Sequence, residues 1–503
     1  MRTFSVTFLV FLVINGFSQK QAVDYAEKYA QTITTSGLKE KLTVIASAAM
    51  QGRETATPGQ QKAASYIEHF FQKQEIQAGT NGGYLMSFPI YQDTLIDATL
   101  TVRNKECKYN ELWNVNISSA ANGSYDIKEI VFVSYGQVDS IRNDYKDLAV
   151  KDKWVLMMDG GPNVVSSQRR GAFSTKTKIQ KAFELGVKGI VIMSAEFPRK
   201  DEAEPKAKMQ LKKPELNTSA PVIYVSSDLA HQILDLDPKQ LLQSIKNIPT
   251  GTYETRIQHT INKRTLMLYS SNVIATIPGT DKKDEYVVIS AHYDHLGTRG
   301  KDIYYGADDD GSGTAGVMQL AEAFAKAKTE GHPPRRTIVF ITFSGEEKGL
   351  LGSEFYAEHP TFPLLKTSAD LNIDMIGRVD PKVLVDSLNY LYVIGDDKLS
   401  TDLRKITDSV NGIYSKITLD RKYNNPTDVN RFYYRSDHYN FAKKGVPVIF
   451  YFNGTHPDYH RPTDTVDKIN FDLMAKRLKL VYYTAWDIAN RPNQLKRDIA
   501  LPK

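Results

Sequence analysis

Tyr286-Val287-Val288-Ile289-Ser290-Ala291-His292-Tyr293-Asp294 is the stretch from which the fold can be read. Its first six residues, mostly apolar or β-branched, read as a buried strand, and a histidine and an aspartate arrive as that strand ends. The arrangement recurs along the C-terminal half. Thr337–Phe343 runs into Ser344-Gly345-Glu346-Glu347, Ala369–Ile373 into Asp374-Met375, and Pro447–Phe452 is followed by Asp458-Tyr459-His460. Asn272–Ile277 and Tyr390–Ile394 are further strand candidates, and helical patterns lie at Thr314–Ala327, Lys398–Val410 and Phe471–Ala489. Such alternation predicts an α/β fold, with a mostly parallel mixed sheet covered by helices. Ligands of an open α/β sheet bind outside the carboxyl ends of its strands, which is where these histidines and carboxylates fall.

Each group has a chemical reading. Residues two apart on a strand point the same way, so Asp294 can reach the far ring nitrogen of His292 and fix its tautomer. Asp308-Asp309-Asp310 sets three like charges side by side, a conflict that a metal pair between two of them would remove. Gly311-Ser312-Gly313 then allows close approach and caps the helix beginning near Thr314. Glu346 and Glu347 can divide the labour, one on metal and one free as a base. Asp374 lies in Leu371-Asn372-Ile373-Asp374-Met375-Ile376, too apolar a run for an exposed acid, so it needs a partner or a metal. His460 is a candidate ligand, with His456 as its alternative, while His295, His438 and the remaining histidines default to core or surface roles. Neutral nitrogen and hard oxygen donors in this combination suit a pair of Zn²⁺ ions.

The rest of the chain sets the frame. At 503 residues it has room for two or three domains, and 41% hydrophobic with 24% charged residues is ordinary globular composition. A formal charge of +6 with no long basic run gives no support to nucleic-acid binding. Met1-Arg2, an apolar run from Phe4 to Ile14 and a small residue near Ser18 read as a signal peptide over residues 1–18, too short to span a bilayer. The expectation is therefore an exported, bacterial-envelope protein (periplasmic, cell-surface or secreted) without stable membrane insertion. The lone Cys107 excludes an intrachain disulfide. Residues 19–90 are mainly helical, with Tyr84 to Ile90 beginning a strand. Residues 91–262 have a β-rich texture carried by Glu129–Val133, Trp154–Met158, Gly189–Met193 and Pro221–Val225, with a helix over Lys178–Leu185 and an exposed loop at 198–216. No acid pairs or histidines stand at these strand ends. Residues 263–503 hold the candidate site.

Taken in order, the five ligand-bearing motifs resemble those of the M28 family of co-catalytic zinc peptidases. The resemblance implies that His292 and Asp374 bind one Zn²⁺, Glu347 and His460 a second, and that Asp309 bridges them. It also implies that Glu346 is the general base, Asp294 the partner of His292, and the Asp309–Asp310 peptide cis. Residues 91–262 resemble an inserted protease-associated domain through Lys153-Trp154-Val155-Leu156 and Gly186-Val187-Lys188-Gly189-Ile190, with Gly52-Arg53 and Thr57-Pro58-Gly59 belonging to the peptidase domain that it interrupts. The expected activity is removal of N-terminal residues from peptides, with Tyr459 as donor to the developing oxyanion. Asp308 and Asp310, flanking the bridge, offer negative charge for a substrate amine. The alternatives are a metallo-carboxypeptidase that would use Arg378, Arg431, Arg435 or Arg461 for a terminal carboxylate, a zinc-dependent cyclase, and an inactive binding ectodomain.

Overall fold

The computed structural model describes residues 24–117, 122–161, 174–194, 197, 205–214, 221–236, 248–383 and 386–500; the signal peptide read at 1–18 lies outside them. Four parallel neighbours form the centre of the sheet, in the order Val448–Phe452, Thr367–Ile373, Lys282–His292 and Arg336–Phe343. Every residue of the first, second and fourth is buried, as expected of parallel strands covered on both faces. Tyr390–Ile394 joins antiparallel beside Val448–Phe452, and Gly251–Ile277 joins antiparallel beside Arg336–Phe343, which makes the sheet mixed.

Helix Gly313–Thr329 is buried on nearly all sides because two further helices, Thr35–Ile45 and Phe471–Asn490, close over it. Those two start on side-chain caps: the Thr34 hydroxyl accepts from Gly37 N and the Asn470 side chain from Leu473 N. Helix Pro58–Lys73 instead begins with proline at its first turn, where the missing N–H costs nothing. Arg53, wholly buried, joins this N-terminal region to the sheet. Its guanidinium donates to the carbonyl oxygens of Ile45, Tyr293, Tyr305 and Gly306. Among the described residues no helix is long and apolar enough to cross a membrane.

The boundaries expected at 91 and 262 fall inside continuous strands. Leu85–Val102 and Gly251–Ile277 pair antiparallel from Leu85 opposite Val273 to Val102 opposite Ile257, with one irregularity between Leu95 and Asp97. This ribbon carries the middle segment, where Gly123–Phe132, Trp154–Met158, Gly189–Ser194 and Val222–Ser226 run in register as a parallel set with a separate core. Residues 205–210 do not hang free as a loop. Leu95 N donates to Pro205 O, Ala207 N to Asp93 O, and Tyr91 and Gln210 exchange both of their main-chain bonds.

Candidate metal centre

Because the four central strands are parallel, their carboxyl ends share one edge, and the expected residues meet there. His292 is the last residue of its strand, Asp374 follows Thr367–Ile373 directly, and Glu346 and Glu347 occupy the turn after Arg336–Phe343. Asp309 comes from the turn that feeds helix Gly313–Thr329, and His460 from the loop after Val448–Phe452.

Asp309 stands in the middle. One of its carboxylate oxygens lies 3.4 Å from Nε2 of His292 and the other 3.1 Å from Nε2 of His460. Around His292 Nε2 gather Asp374 at 3.7 Å and Glu346 at 3.9 Å. On the opposite side Glu347 reaches His460 Nε2 at 3.4 Å and His295 Nδ1 at 2.8 Å. Two groups therefore emerge, His292 with Glu346 and Asp374, and His295 with Asp309 and Glu347; within each the donor atoms lie within 4.8 Å of one another. Four carboxylates converge here and, among the described residues, no lysine or arginine pairs with any of them. Bare, these charges repel; a pair of divalent cations fits a donor set of imidazole nitrogen and carboxylate oxygen.

The supporting contacts differ from expectation at three places. Nδ1 of His292 is 3.1 Å from the main-chain oxygen of Asp294 and 3.8 Å from its carboxylate. A carbonyl can only accept, so the ring proton sits on Nδ1 and the Nε2 lone pair faces the cluster. The Asp294 carboxylate instead accepts from the Thr55 hydroxyl at 2.6 Å and from Glu346 N at 3.2 Å, holding the turn that carries both glutamates.

Asp308 and Asp310 do not present charge to a substrate. Asp310 is buried and accepts from His292 N, Gly313 N and Met375 N, linking two strand ends to a helix start. Asp308 accepts from Gly377 N at 2.7 Å and faces His456 Nε2 at 3.2 Å. His456 is thereby turned away from the cluster, leaving His460 as the histidine of that loop in the site. Asp464, which no sequence pattern singled out, accepts from the N–H groups of both Asp308 and Asp309. The Asp309–Asp310 peptide is cis. Gly313 is demanded by space, since a Cβ there would collide with Ile373 O and the Asp310 carboxylate. The Ser312 hydroxyl does not cap the helix; it donates to Asp308 O, and the Asp310 carboxylate takes the first helical N–H instead.

His295 is the residue the sequence reading passed over. Fully buried, it faces Glu347 and orients that carboxylate. Its position one past the His292-Tyr293-Asp294 run was the available signal. His438 does have the expected core role, its Nε2 donating to Tyr433 O at 2.8 Å.

Beside the cluster opens a cleft lined by Met375, Phe432, Phe450 and Phe452 together with Glu346. Burial lifts the Glu346 carboxyl well above the usual range, opposed by His292 and reinforced by Glu347 and Asp374. Tyr459 stacks on the His460 ring at 3.8 Å between centroids. Burial and then the charges of Asp309, Glu347 and Glu346 push its phenol far upward, so it remains a proton donor. Of the four arginines near the motifs, Arg435 alone lines this cleft, with Nη2 3.4 Å from the Tyr459 hydroxyl. Arg378 is engaged with Asp458 at 2.9 Å, and Arg431 lies over the Tyr434 ring.

Residues 272–485 match the model of peptidase family M28. A probable leucine aminopeptidase of Arthroderma otae is 31% identical over 224 residues, covering 43% of this chain and 57% of that protein. A probable zinc metalloprotease of Pyricularia oryzae is 29% identical over 264 residues, covering 45% of this chain and 51% of that protein. The match thus spans about half the length of these curated relatives. Among solved structures, an aminopeptidase from Aneurinibacillus sp. strain AM-1 superposes with a TM-score of 0.56 at 19% identity, covering 95% of this chain and 99% of that one. A zinc aminopeptidase from Bacillus subtilis gives 0.52 at 18% identity, covering 93% and 98%. At such identities the likeness is one of fold.

Proposed function

With residues 272–485 forming a peptidase family M28 domain, we propose that the protein is an exported, zinc-dependent exopeptidase that removes N-terminal residues from peptides. The observation that carries this reading is the Asp309 carboxylate, one oxygen toward His292 and the other toward His460, the geometry of a bridge between two cations. His292 and Asp374 would hold one Zn²⁺, Glu347 and His460 the other, and residues 91–262 would be an inserted protease-associated domain. Bound zinc supplies a water acidic enough to attack at neutral pH and an electrophile for the scissile carbonyl.

The chain's own groups supply the rest. Glu346, held by its main-chain bond to Asp294, takes the proton of the attacking water and passes it to the leaving amine. A carboxyl whose affinity for protons is raised by burial is suited to that shuttle. The Tyr459 hydroxyl donates to the oxygen that gains charge as the carbonyl is attacked. The aromatic wall excludes water and receives the side chain of the terminal residue. Since Asp308 and Asp310 are occupied elsewhere, recognition of the free amine falls to Glu346 and Asp374 at the cleft.

Arg435 supports a second reading, a carboxypeptidase, because a guanidinium at the cleft could hold a terminal carboxylate. One peptide in four forms separates the two: N-terminus free or acetylated, C-terminus free or amidated. The aminopeptidase reading expects cleavage to stop on acetylation and survive amidation; the reverse pattern overturns it. Activity that persists after complete removal of zinc would overturn the metal reading.

A further inference from the structure

At the foot of the ribbon lies a second cavity of about 740 Å³, within the size range of ligand sites. Its walls come from three places. Thr55 and its neighbours, Leu266 and Leu268 of the ribbon, and Lys206 and Lys208 of the middle segment all line it. Lys348, directly after Glu347, completes the rim. Lys206 and Lys208 are both exposed and both line the cavity, on a stretch bonded to the ribbon at either end. Glu54 is the one carboxylate among the described residues of this wall, and Lys348 already pairs with it at 2.8 Å.

The cavity adjoins the metal centre through shared contacts. Asp294 accepts from Thr55 in the cavity wall with one oxygen and from Glu346 N with the other. The ribbon also runs on past the carboxyl end of Arg336–Phe343, since Thr342 pairs with Val273 and Leu268 lies further along the same strand. The Glu346–Lys348 turn joins the two, since Glu346 lines the aromatic cleft and Lys348 lines this groove.

We propose that the groove receives the part of the peptide downstream of the scissile bond and selects acidic side chains there. Leu266 and Leu268 offer apolar contact to the peptide, and Lys206 and Lys208 supply charge that, among the described residues, no carboxylate of the wall neutralises. This rests on the exopeptidase reading above. Each exposed ion pair contributes roughly two- to fivefold in affinity, so two lysines give an acidic preference of about four- to twenty-five-fold at low salt.

The test compares two C-terminally amidated hexapeptides, Leu-Ala-Ala-Glu-Glu-Ala and Leu-Ala-Ala-Lys-Lys-Ala, on the zinc-loaded full chain at low and high salt. Amidation removes the terminal carboxylate, so any preference must come from side chains. The expected ratio of kcat/KM, acidic over basic, is about four to twenty-five, carried by KM and shrinking toward one at high salt. In the double variant Lys206→Glu with Lys208→Glu the ratio should fall below one. Both lysines are exposed, and an unchanged melting temperature checks the fold. A wild-type ratio near one, or a ratio unaltered in a folded double variant, overturns the groove assignment while cleavage of leucine p-nitroanilide leaves the exopeptidase reading standing. Failure to cleave leucine p-nitroanilide and both peptides overturns the two together.

Discussion

Ser436→Ala should weaken one zinc site and spare the other. The Ser436 hydroxyl is buried and donates to Asp374 at 2.6 Å while accepting from the Asn372 amide at 2.9 Å. Behind Asn372 the chain continues. The Asn372 carbonyl oxygen lies 3.0 Å from the Ser290 hydroxyl, which is 2.7 Å from Asp370. Burial holds the Asp370 carboxyl well above its ordinary range, opposed by the bond it accepts from Ser290. The protons of the Asn372 amide and the Ser436 hydroxyl thus point toward Asp374, whose second oxygen faces His292. A hydrogen bond to a charged acceptor is worth about 1.5–3 kcal/mol, and a bound zinc would withdraw part of that carboxylate's charge, which favours the lower figure. About 1.5 kcal/mol is a little over tenfold in affinity, in line with the usual loss when a group supporting a metal ligand is removed. Competition titration with a zinc chelator should show one of two zinc affinities falling roughly tenfold in Ser436→Ala, with Ser436→Thr restoring it. If Ser436→Ala keeps both affinities while Asp374→Asn loses one, the hydroxyl chain does not position the ligand and the reasoning is refuted.

Three other outcomes are expected. Glu346→Gln should retain zinc and lose about 10²–10⁴ in kcat, whereas Glu347→Gln should lose zinc as well; metal analysis beside kinetics decides, and equal loss of metal in both would remove the division of roles. Arg53→Met strands four carbonyl groups in the interior and should cost on the order of 3–5 kcal/mol in denaturant unfolding; a change below about 1 kcal/mol would mean that the guanidinium does not hold the N-terminal helices to the sheet. His438 should contribute to acid sensitivity, because burial pushes its folded pKa down to about 3 while the unfolded ring takes up a proton near 6.5. Its contribution is complete above pH 6.5 and is lost as the pH falls toward 3, at up to about 1.4 kcal/mol per unit. The stability gap between wild type and His438→Gln should therefore narrow between pH 7 and pH 4; a constant gap refutes it.

The C-terminal half was legible because its strands are buried on both faces and end in polar residues. Tyr390–Ile394 was bounded correctly, and Thr337–Phe343 missed its strand by one residue. His292, Asp309, Glu347, Asp374 and His460 do converge. His295 escaped because it follows the end of the strand, where period-two alternation no longer says which way a side chain points. The three adjacent aspartates were misread in a different way. Sequence shows three charges together but not that the turn sends them apart, Asp308 and Asp310 to main-chain N–H groups and Asp309 alone to the cluster. The ribbon was cut short because many of its residues are exposed. Ile257, His259 and Ile261 do alternate inward, yet the solvated residues between them resemble connecting chain.

That ribbon bears on how the molecule can be taken apart. Gln92 sits opposite Leu266 and Asp93 opposite Thr265, so the two strands already stand at hairpin spacing where they leave the central sheet. A two-residue Asn-Gly turn joining Gln92 to Leu266 would close them into an ordinary β-hairpin without disturbing the pairs below. The whole middle segment is thus topologically a hairpin turn enlarged to the size of a domain. A graft that respects this register can exchange it for another module, and the exchanged part would be held by two continuous strands rather than swing on a tether.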